Sequence, residues 1–351
     1  MKLIHCADVH LGARLESKFP QEVSKTRKEE VRNSFKRMVE YAVENGVQVI
    51  LLAGDIFDGE RPTTKDKEFF YSVVQNNPNI TFLYLRGNHD ETEENGGFDN
   101  LKTFSSTWTG YDFGDVVISG IEIVKENATS LYSTLSLDES RKNIVMMHGQ
   151  ISDTAGVDKV CLKKLRNKNV DYFALGHIHE YSYGKLDERG SYAYSGCLEG
   201  RGFDETGEKG FILVEVEESG ITHQFVPFSK RSILKAQVDV SGLAGGYEMA
   251  LKAREKGLDK QNIYRIELVG EVDANVDAFA SDVKKFLSSE CLFVDVKDYT
   301  QKKINLHAYD NDLSLRGEFV REVYADNTLT DEEKAQIVAY GLKALGGREV
   351  E

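Results

Sequence analysis

The sequence predicts an α/β fold. From Lys2 to about Phe228, apolar runs of strand length alternate with amphipathic stretches, and several of those runs end in glycine followed by Asp, Asn or His. A smaller α+β pattern begins near residue 230, so boundaries are expected at 1–229, 230–305 and 306–351. Strands are predicted at 3–7, 47–53, 80–85, 143–147 and 172–175. Between the first two, residues 24–45 form a helix whose stripe of Val31, Phe35, Met38, Val39, Ala42 and Val43 faces a core, with Gly46 as its stop. After Gly176 come strands at 192–195, 211–216 and 221–226, with Glu218, Ser219 and Gly220 as a turn, and this half is expected to be antiparallel. The small unit reads as strands 233–240, 263–269 and 291–296 with helices 246–256 and 275–288. Two amphipathic helices, 313–324 and 331–345, end the sequence, Thr330 capping the second and Gly346 stopping it.

Composition narrows the class. With 351 residues, 40% of them hydrophobic and 29% charged, the chain can bury one large core and a smaller one. No apolar run approaches the roughly 20 residues that span a bilayer, and MKLIHCADVH resembles no export signal, so a cytoplasmic protein without a membrane segment is expected. Cys6, Cys161, Cys197 and Cys291 lack CxxC spacing, which predicts buried thiols. The net charge of -14 argues against a passive nucleic-acid binder working through a broad basic surface. It disfavours a metal-dependent enzyme less, because bound divalent cations place positive charge where a phosphodiester needs it.

Five segments share one grammar: apolar strand, then ligand-type residues. They are Asp8-Val9-His10, Gly54-Asp55-Ile56-Phe57-Asp58, Arg86-Gly87-Asn88-His89-Asp90, His148-Gly149 and Gly176-His177-Ile178-His179. A lone histidine is usually an ordinary core or surface residue. Here five of the eight, His10, His89, His148, His177 and His179, fall at predicted strand ends, which converge on one edge of an open α/β sheet. Carboxylate, amide and imidazole donors so gathered suit divalent cations.

These motifs resemble the calcineurin-like metallophosphoesterase superfamily, whose signature is D-x-H, GD-x-x-D, GNH-D/E, a lone His and GH-x-H. All five occur in order across residues 8–179. The opening His5-Cys6-Ala7-Asp8-Val9-His10-Leu11-Gly12 and the helical insertion before Gly54 look like the SbcD-type nuclease family. The resemblance implies a four-layer α/β/β/α sandwich with a small α+β capping or DNA-recognition domain and a helical C-terminal tail. It implies that Asp8, His10 and His179 hold one ion, that Asn88, His148 and His177 hold a second, and that Asp55 bridges them. Mn²⁺ is the implied metal, with Fe²⁺ or Zn²⁺ as alternatives. Water activated between the two ions would cleave a phosphodiester in line, with His89 stabilising the transition state or protonating the leaving oxygen, and Asp58 or Asp90 either orienting His89 or serving as a structural cap or turn.

Substrate choice lies outside the signature. Asp58 is followed by Gly59-Glu60 where protein phosphatases resembling calcineurin carry Arg-Gly, and His89 by Asp90 where they carry Glu, although Arg86 matches their pattern. Hydrolysis of DNA in end processing is therefore the expected function. The alternatives are a phosphodiesterase or phosphatase acting on nucleotides or phosphoproteins, and a non-catalytic scaffold. Arg14, Lys18 and Arg201 are the candidate DNA contacts, with Lys25, Arg27 and Lys28 beside them. The chain has no G-x-x-x-x-G-K-[ST] loop, so ATP would be used by a partner, which the resemblance implies is an SbcC-type coiled-coil ATPase docked on the helical tail. A homodimer is also implied, with Phe69-Phe70-Tyr71 and Phe98 to Trp108 as candidate contacts.

Overall fold

The computed structural model describes residues 1–59, 63–90, 97–272, 276–302 and 309–345. The chain divides into two compact units, one of Met1–Lys235, Asp259–Arg265 and Cys291–Phe293, the other of Ala236–Leu258, Ile266–Glu290 and Val294–Glu351.

The first unit opens with β1 (Lys2–Cys6), α1 (Gln21–Glu44), β2 (Val49–Ala53), α2 (Thr64–Gln75) and β3 (Thr81–Leu85). Gly46, at φ +67, ends α1 as its position after the apolar stripe requires. Thr63 caps α2, its side chain accepting from the Asp66 N–H at 3.2 Å. There follow β4 (Leu101–Thr103), β5 (Thr109–Phe113), β6 (Val116–Gly120), the one-turn α3 (Leu131–Thr134), β7 (Lys142–His148), β8 (Gln150–Ile151), β9 (Lys159–Val160), β10 (Tyr172–Gly176), β11 (Ser182–Lys185), β12 (Ser191–Tyr194), β13 (Gly210–Glu217) and β14 (Gly220–Pro227).

Two six-stranded sheets, ordered β14-β13-β1-β2-β3-β4 and β11-β12-β10-β7-β6-β5, make the body of this unit. Period-2 alternation explains why their central strands are apolar throughout. In β2, Ile50 and Leu52 point to a core with Val31, Phe35 and Met38 of α1 and Phe70 of α2, whereas Val49, Leu51 and Ala53 point to the second sheet. In β10, Tyr172 and Ala174 meet the first sheet, while Phe173 and Leu175 pack under Leu131, Tyr132 and Leu165. The layers are thus helices, sheet, sheet, and a thin outer cover built from α3 and loops, which is the α/β/β/α order. Each fully buried Val, Leu, Ile or Phe among these side chains contributes roughly 1.5–3 kcal/mol.

The expected antiparallel second half needs correction. β13 and β14 do run antiparallel to each other, but β12 pairs parallel with β10, Leu175 opposite Tyr194. The aromatic stretches considered as dimer contacts are packed inside the unit: Phe70 is fully buried, Phe69, Tyr71 and Phe98 lean on the helix-side core, and Trp108 donates Nε1–H to the Leu131 carbonyl at 2.8 Å.

The chain continues as β15 (Ile233–Asp239), α4 (Gly246–Arg254), β16 (Ile263–Val269), β17 (Glu271–Val272), α5 (Val276–Leu287), β18 (Phe293–Asp298), β19 (Gln301–Lys302), α6 (Leu315–Ala325) and α7 (Asp331–Leu345). β15, β16 and β18 form a three-stranded sheet. Within the second unit α4 packs on α5 and α6 on α7. Thr330 caps α7 reciprocally with Glu333, as its sequence position predicts, and Gly346 lies outside the described residues. All four cysteines are buried and none forms a disulfide. Among the described residues no helix is long and apolar enough to cross a membrane.

Candidate metal centre

The five motifs meet because their strands run the same way. β1, β2 and β3 are mutually parallel, as are β7 and β10, so the loops after them leave from common edges. Two glycines let those edges come together. A Cβ on Gly54, at φ +95, would fall 2.2 Å from His148 Nδ1, and one on Gly176 would fall 1.9 Å from the Ala53 carbonyl oxygen. Backbone strain gathers here too: Asp8, His10, Asp55 and His177 all hold the positive φ that side chains disfavour, at 52°, 52°, 54° and 100°.

On one side, His10 Nε2 lies 3.3 Å from His179 Nε2, and His179 Nε2 lies 3.7 Å from Asp8 Oδ1. On the other, Asn88 Oδ1 lies 3.1 Å from His148 Nε2 and 3.2 Å from His177 Nδ1. Asp55 stands between, its Oδ2 3.3 Å from His148 Nε2 and 3.9 Å from His10 Nε2. Asp8, His10, Asp55 and His148 are buried, while Asn88 and His89 are exposed. All seven proposed ligands therefore come together, with Asp55 in the middle.

The donors fit cations by their own chemistry. His10 Nδ1 lies 2.8 Å from Asp58, His179 Nδ1 2.8 Å from Glu205, and His148 Nδ1 2.9 Å from the Ala53 carbonyl. A neutral imidazole that donates Nδ1–H to an oxygen carries its lone pair on Nε2. His10 and His179 so oriented aim two lone pairs at each other, an arrangement that favours a cation between them. Burial pushes the Asp8 carboxyl up to about 7 and His10 down to about 4. Burial would also lower His148, but its bond to Asp55 outweighs that and lifts it to about 9. Asp55 in turn is held below the carboxylate range despite burial, chiefly by His148.

Sequence reasoning missed two groups around this cluster. Glu205, buried, orients His179; Lys209, also buried, donates from Nζ to the His179 carbonyl at 3.0 Å. Both lie in the glycine-rich 196–210 loop, and only the fold brings them to a strand end more than 20 residues earlier. Asp58 faces His10, and its carboxylate also lies within 4.8 Å of a ring nitrogen of His89. Asp90 takes the structural one of its two expected roles. It accepts N–H bonds from Gly87 at 3.0 Å, Phe57 at 2.8 Å and Ile56 at 3.3 Å, and so locks the second and third motif loops together.

The candidate DNA contacts separate. Arg14 and Lys25 are exposed. Lys18 pairs with Asp204 at 3.0 Å and Lys28 with Glu16 at 2.6 Å. Arg27 is fully buried between Glu30 and Glu199, which removes it from the surface altogether. Arg201 is not a surface cation either, since its side chain is 13% exposed and lies against Glu205 at 2.8 Å and Asp58 at 3.3 Å.

Residues 1–181 match the family model described as calcineurin-like phosphoesterase. Among curated proteins, the DNA double-strand break repair protein Mre11 of Methanosarcina acetivorans is 25% identical over 315 residues, covering 85% of this chain and 50% of that protein. The protein of the same name from Thermoplasma acidophilum is 24% identical over 359 residues, covering 93% and 91%. The uncharacterized metallophosphoesterase YhaO of Bacillus subtilis is 29% identical over 265 residues, covering 69% and 64%. The chain thus spans half the length of the Methanosarcina relative. Because the matched segment covers more than half of the chain and carries every one of the converging Asp, Asn and His side chains, the chain belongs to the calcineurin-like phosphoesterase family.

Proposed function

We propose that this chain is a metal-dependent DNA nuclease subunit that hydrolyses phosphodiesters at the Asp8 to His179 centre and processes DNA ends with an SbcC-type ATPase. The observation that carries it is the facing pair of His10 and His179 Nε2 atoms, 3.3 Å apart, with Asp55 reaching from them to the Asn88 side. Asp8, His10 and His179 would hold one divalent ion, Asn88, His148 and His177 the other, and Asp55 both. Oxygen and imidazole donors without thiolate admit Mn²⁺, Fe²⁺ or Zn²⁺, and Mn²⁺ is the choice the family resemblance implies. Such a pair of ions, when bound, acidifies water and neutralises phosphate oxygens.

The remaining work belongs to the protein. His89, exposed, donates its backbone N–H to Asp55 Oδ1 at 2.9 Å, and its ring centroid lies 5.2 Å from that of His10. It therefore overhangs the cluster on its open side, where a leaving oxygen would need a proton. Asp58 would steady both rings. Two cavities flank the cluster, of about 250 and 350 Å³, and their walls include Glu122, Asp158, Asp204 and Glu205. Glu122, Asp204 and Glu205 are already paired with Arg86, Lys18 and Arg201, so bound cations would supply the positive charge that a phosphate meets there.

That the Mre11 relatives are named as double-strand break repair proteins supports DNA as substrate. The helical tail is the proposed dock for the ATPase, and self-association as a homodimer is part of the proposal. The deciding experiment compares linear duplex DNA, single-stranded DNA and a chromogenic phosphodiester with Mn²⁺ present. Cleavage of the DNA substrates is expected. Turnover of the small phosphodiester alone would move the chain to the nucleotide phosphodiesterases.

A further inference from the structure

The guanidinium of Arg201 occupies an unusual place. Nη1 lies 3.3 Å from Asp58 Oδ1, Nη2 lies 2.8 Å from Glu205 Oε1 and 3.0 Å from His179 Nδ1, and Nε lies 3.2 Å from the same Glu205 oxygen. The Arg201 backbone N–H also donates to Glu205 Oε2 at 2.7 Å, so residue and carboxylate form a closed unit. Asp58 and Glu205 are the two carboxylates that receive Nδ1 of His10 and His179, each at 2.8 Å. Those two histidines present their Nε2 atoms to the same point. One side chain, 13% exposed, thus ties together the supports of both rings.

The loop that carries Arg201 is itself anchored. Glu199, buried, accepts from Arg27 Nη2 at 2.8 Å and from Ser34 Oγ at 2.6 Å, and the Gly200 carbonyl accepts from the same Arg27 nitrogen at 2.8 Å. Helix α1 therefore fixes the two residues before Arg201. Two consequences follow from charge and shape. Without Arg201, Asp58 and Glu205 would lose their shared countercharge in a poorly solvated place, and each could swing toward a cation instead of holding its imidazole. A lysine would restore the charge but not the planar fork that spans two carboxylates.

We propose that Arg201 is a positioning residue that braces His10 and His179 through Asp58 and Glu205, and so sets the affinity of one of the two metal positions selectively. It rests on the reading of Asp8, His10 and His179 as ligands of a single ion. It replaces the expectation that Arg201 contacts DNA. Loss of a group that orients a ligating histidine typically weakens metal binding about 10- to 100-fold.

The test is calorimetric titration of the metal-stripped full chain with Mn²⁺, comparing wild type with Arg201→Gln, Arg201→Ala and Arg201→Lys. In the Gln and Ala variants one binding step is expected to weaken about 10- to 100-fold while the other holds, with Lys intermediate. Turnover of a chromogenic phosphodiester should then fall in kcat at limiting Mn²⁺ and recover with excess Mn²⁺, with KM little changed. Binding of a labelled DNA duplex in chelator should be unaltered. If both Mn²⁺ steps are unchanged, or if both weaken equally in every variant, the brace is wrong. Unchanged Mn²⁺ binding with a raised KM or weaker duplex binding would make Arg201 a substrate contact. A wild-type chain that binds two Mn²⁺ but cleaves no phosphodiester would refute the proposed function, while the titrations would still judge the brace.

Discussion

Asp55 and His89 are neighbours in space through a 2.9 Å backbone hydrogen bond, yet their side chains have opposite expected roles. His89→Ala should keep both Mn²⁺ binding steps and lose roughly 10²- to 10⁴-fold in cleavage, the usual contribution of a positioned acid or base. Asp55→Ala should lose metal along with activity. Mn²⁺ titration beside the DNA assay separates the two, and full cleavage by either variant would overturn its assignment. That the Asp, Asn and His side chains of the five motifs converge was legible in the sequence, because each motif follows an apolar strand and a local pattern predicts a shared edge. Glu205 and Arg201 were not, because their importance comes from a loop that meets His179 only after folding. The choice between the two roles of Asp90 was hidden for a related reason: its motif position says nothing about three backbone N–H groups from two different loops.

At the scale of elements, α1 carries a polar row beside its apolar stripe. Arg27, Glu30 and Ser34 share one face, where Arg27 and Arg231 both pair with Glu30 and Glu199 accepts from Arg27 and Ser34. Periodicity of apolar residues locates the stripe but is silent about a buried guanidinium. Arg27→Ala would leave Glu199, fully buried, without its countercharge, and is expected to cost about 3–5 kcal/mol in urea unfolding. Arg27→Met combined with Glu199→Gln should recover much of that loss, because no unpaired charge remains. A double variant as unstable as the single one would show that packing, not charge, sets the cost. Strand direction was the other blind spot. β12 is a short strand bounded by glycines, and nothing within Ser191–Tyr194 tells whether its neighbour will run with it or against it.

For the molecule as a whole, composition pointed the right way without naming the chemistry. A net charge of -14 makes bound cations the attractive feature of the surface for a phosphodiester. Ions that bind only the folded chain also stabilise it, by about 2.7 kcal/mol per site at a hundredfold excess over Kd. Thermal unfolding with Mn²⁺ and with chelator should therefore differ by several degrees, and equal melting curves would count against a metal centre. The four left-handed residues at Asp8, His10, Asp55 and His177 sharpen this expectation, since each costs of order 1–3 kcal/mol that metal binding would help to offset. His177→Gly should melt above His177→Ala in chelator, because glycine alone accepts φ +100 without strain. An inverted order would place the strain elsewhere. The cellular corollary concerns lifetime: a newly made copy that has not acquired its ions is the form most often open to proteases, so metal supply would govern how much of this protein a cell keeps as well as how fast it works. A pulse-chase under metal starvation, with a matched decline in half-life, is the expected sign.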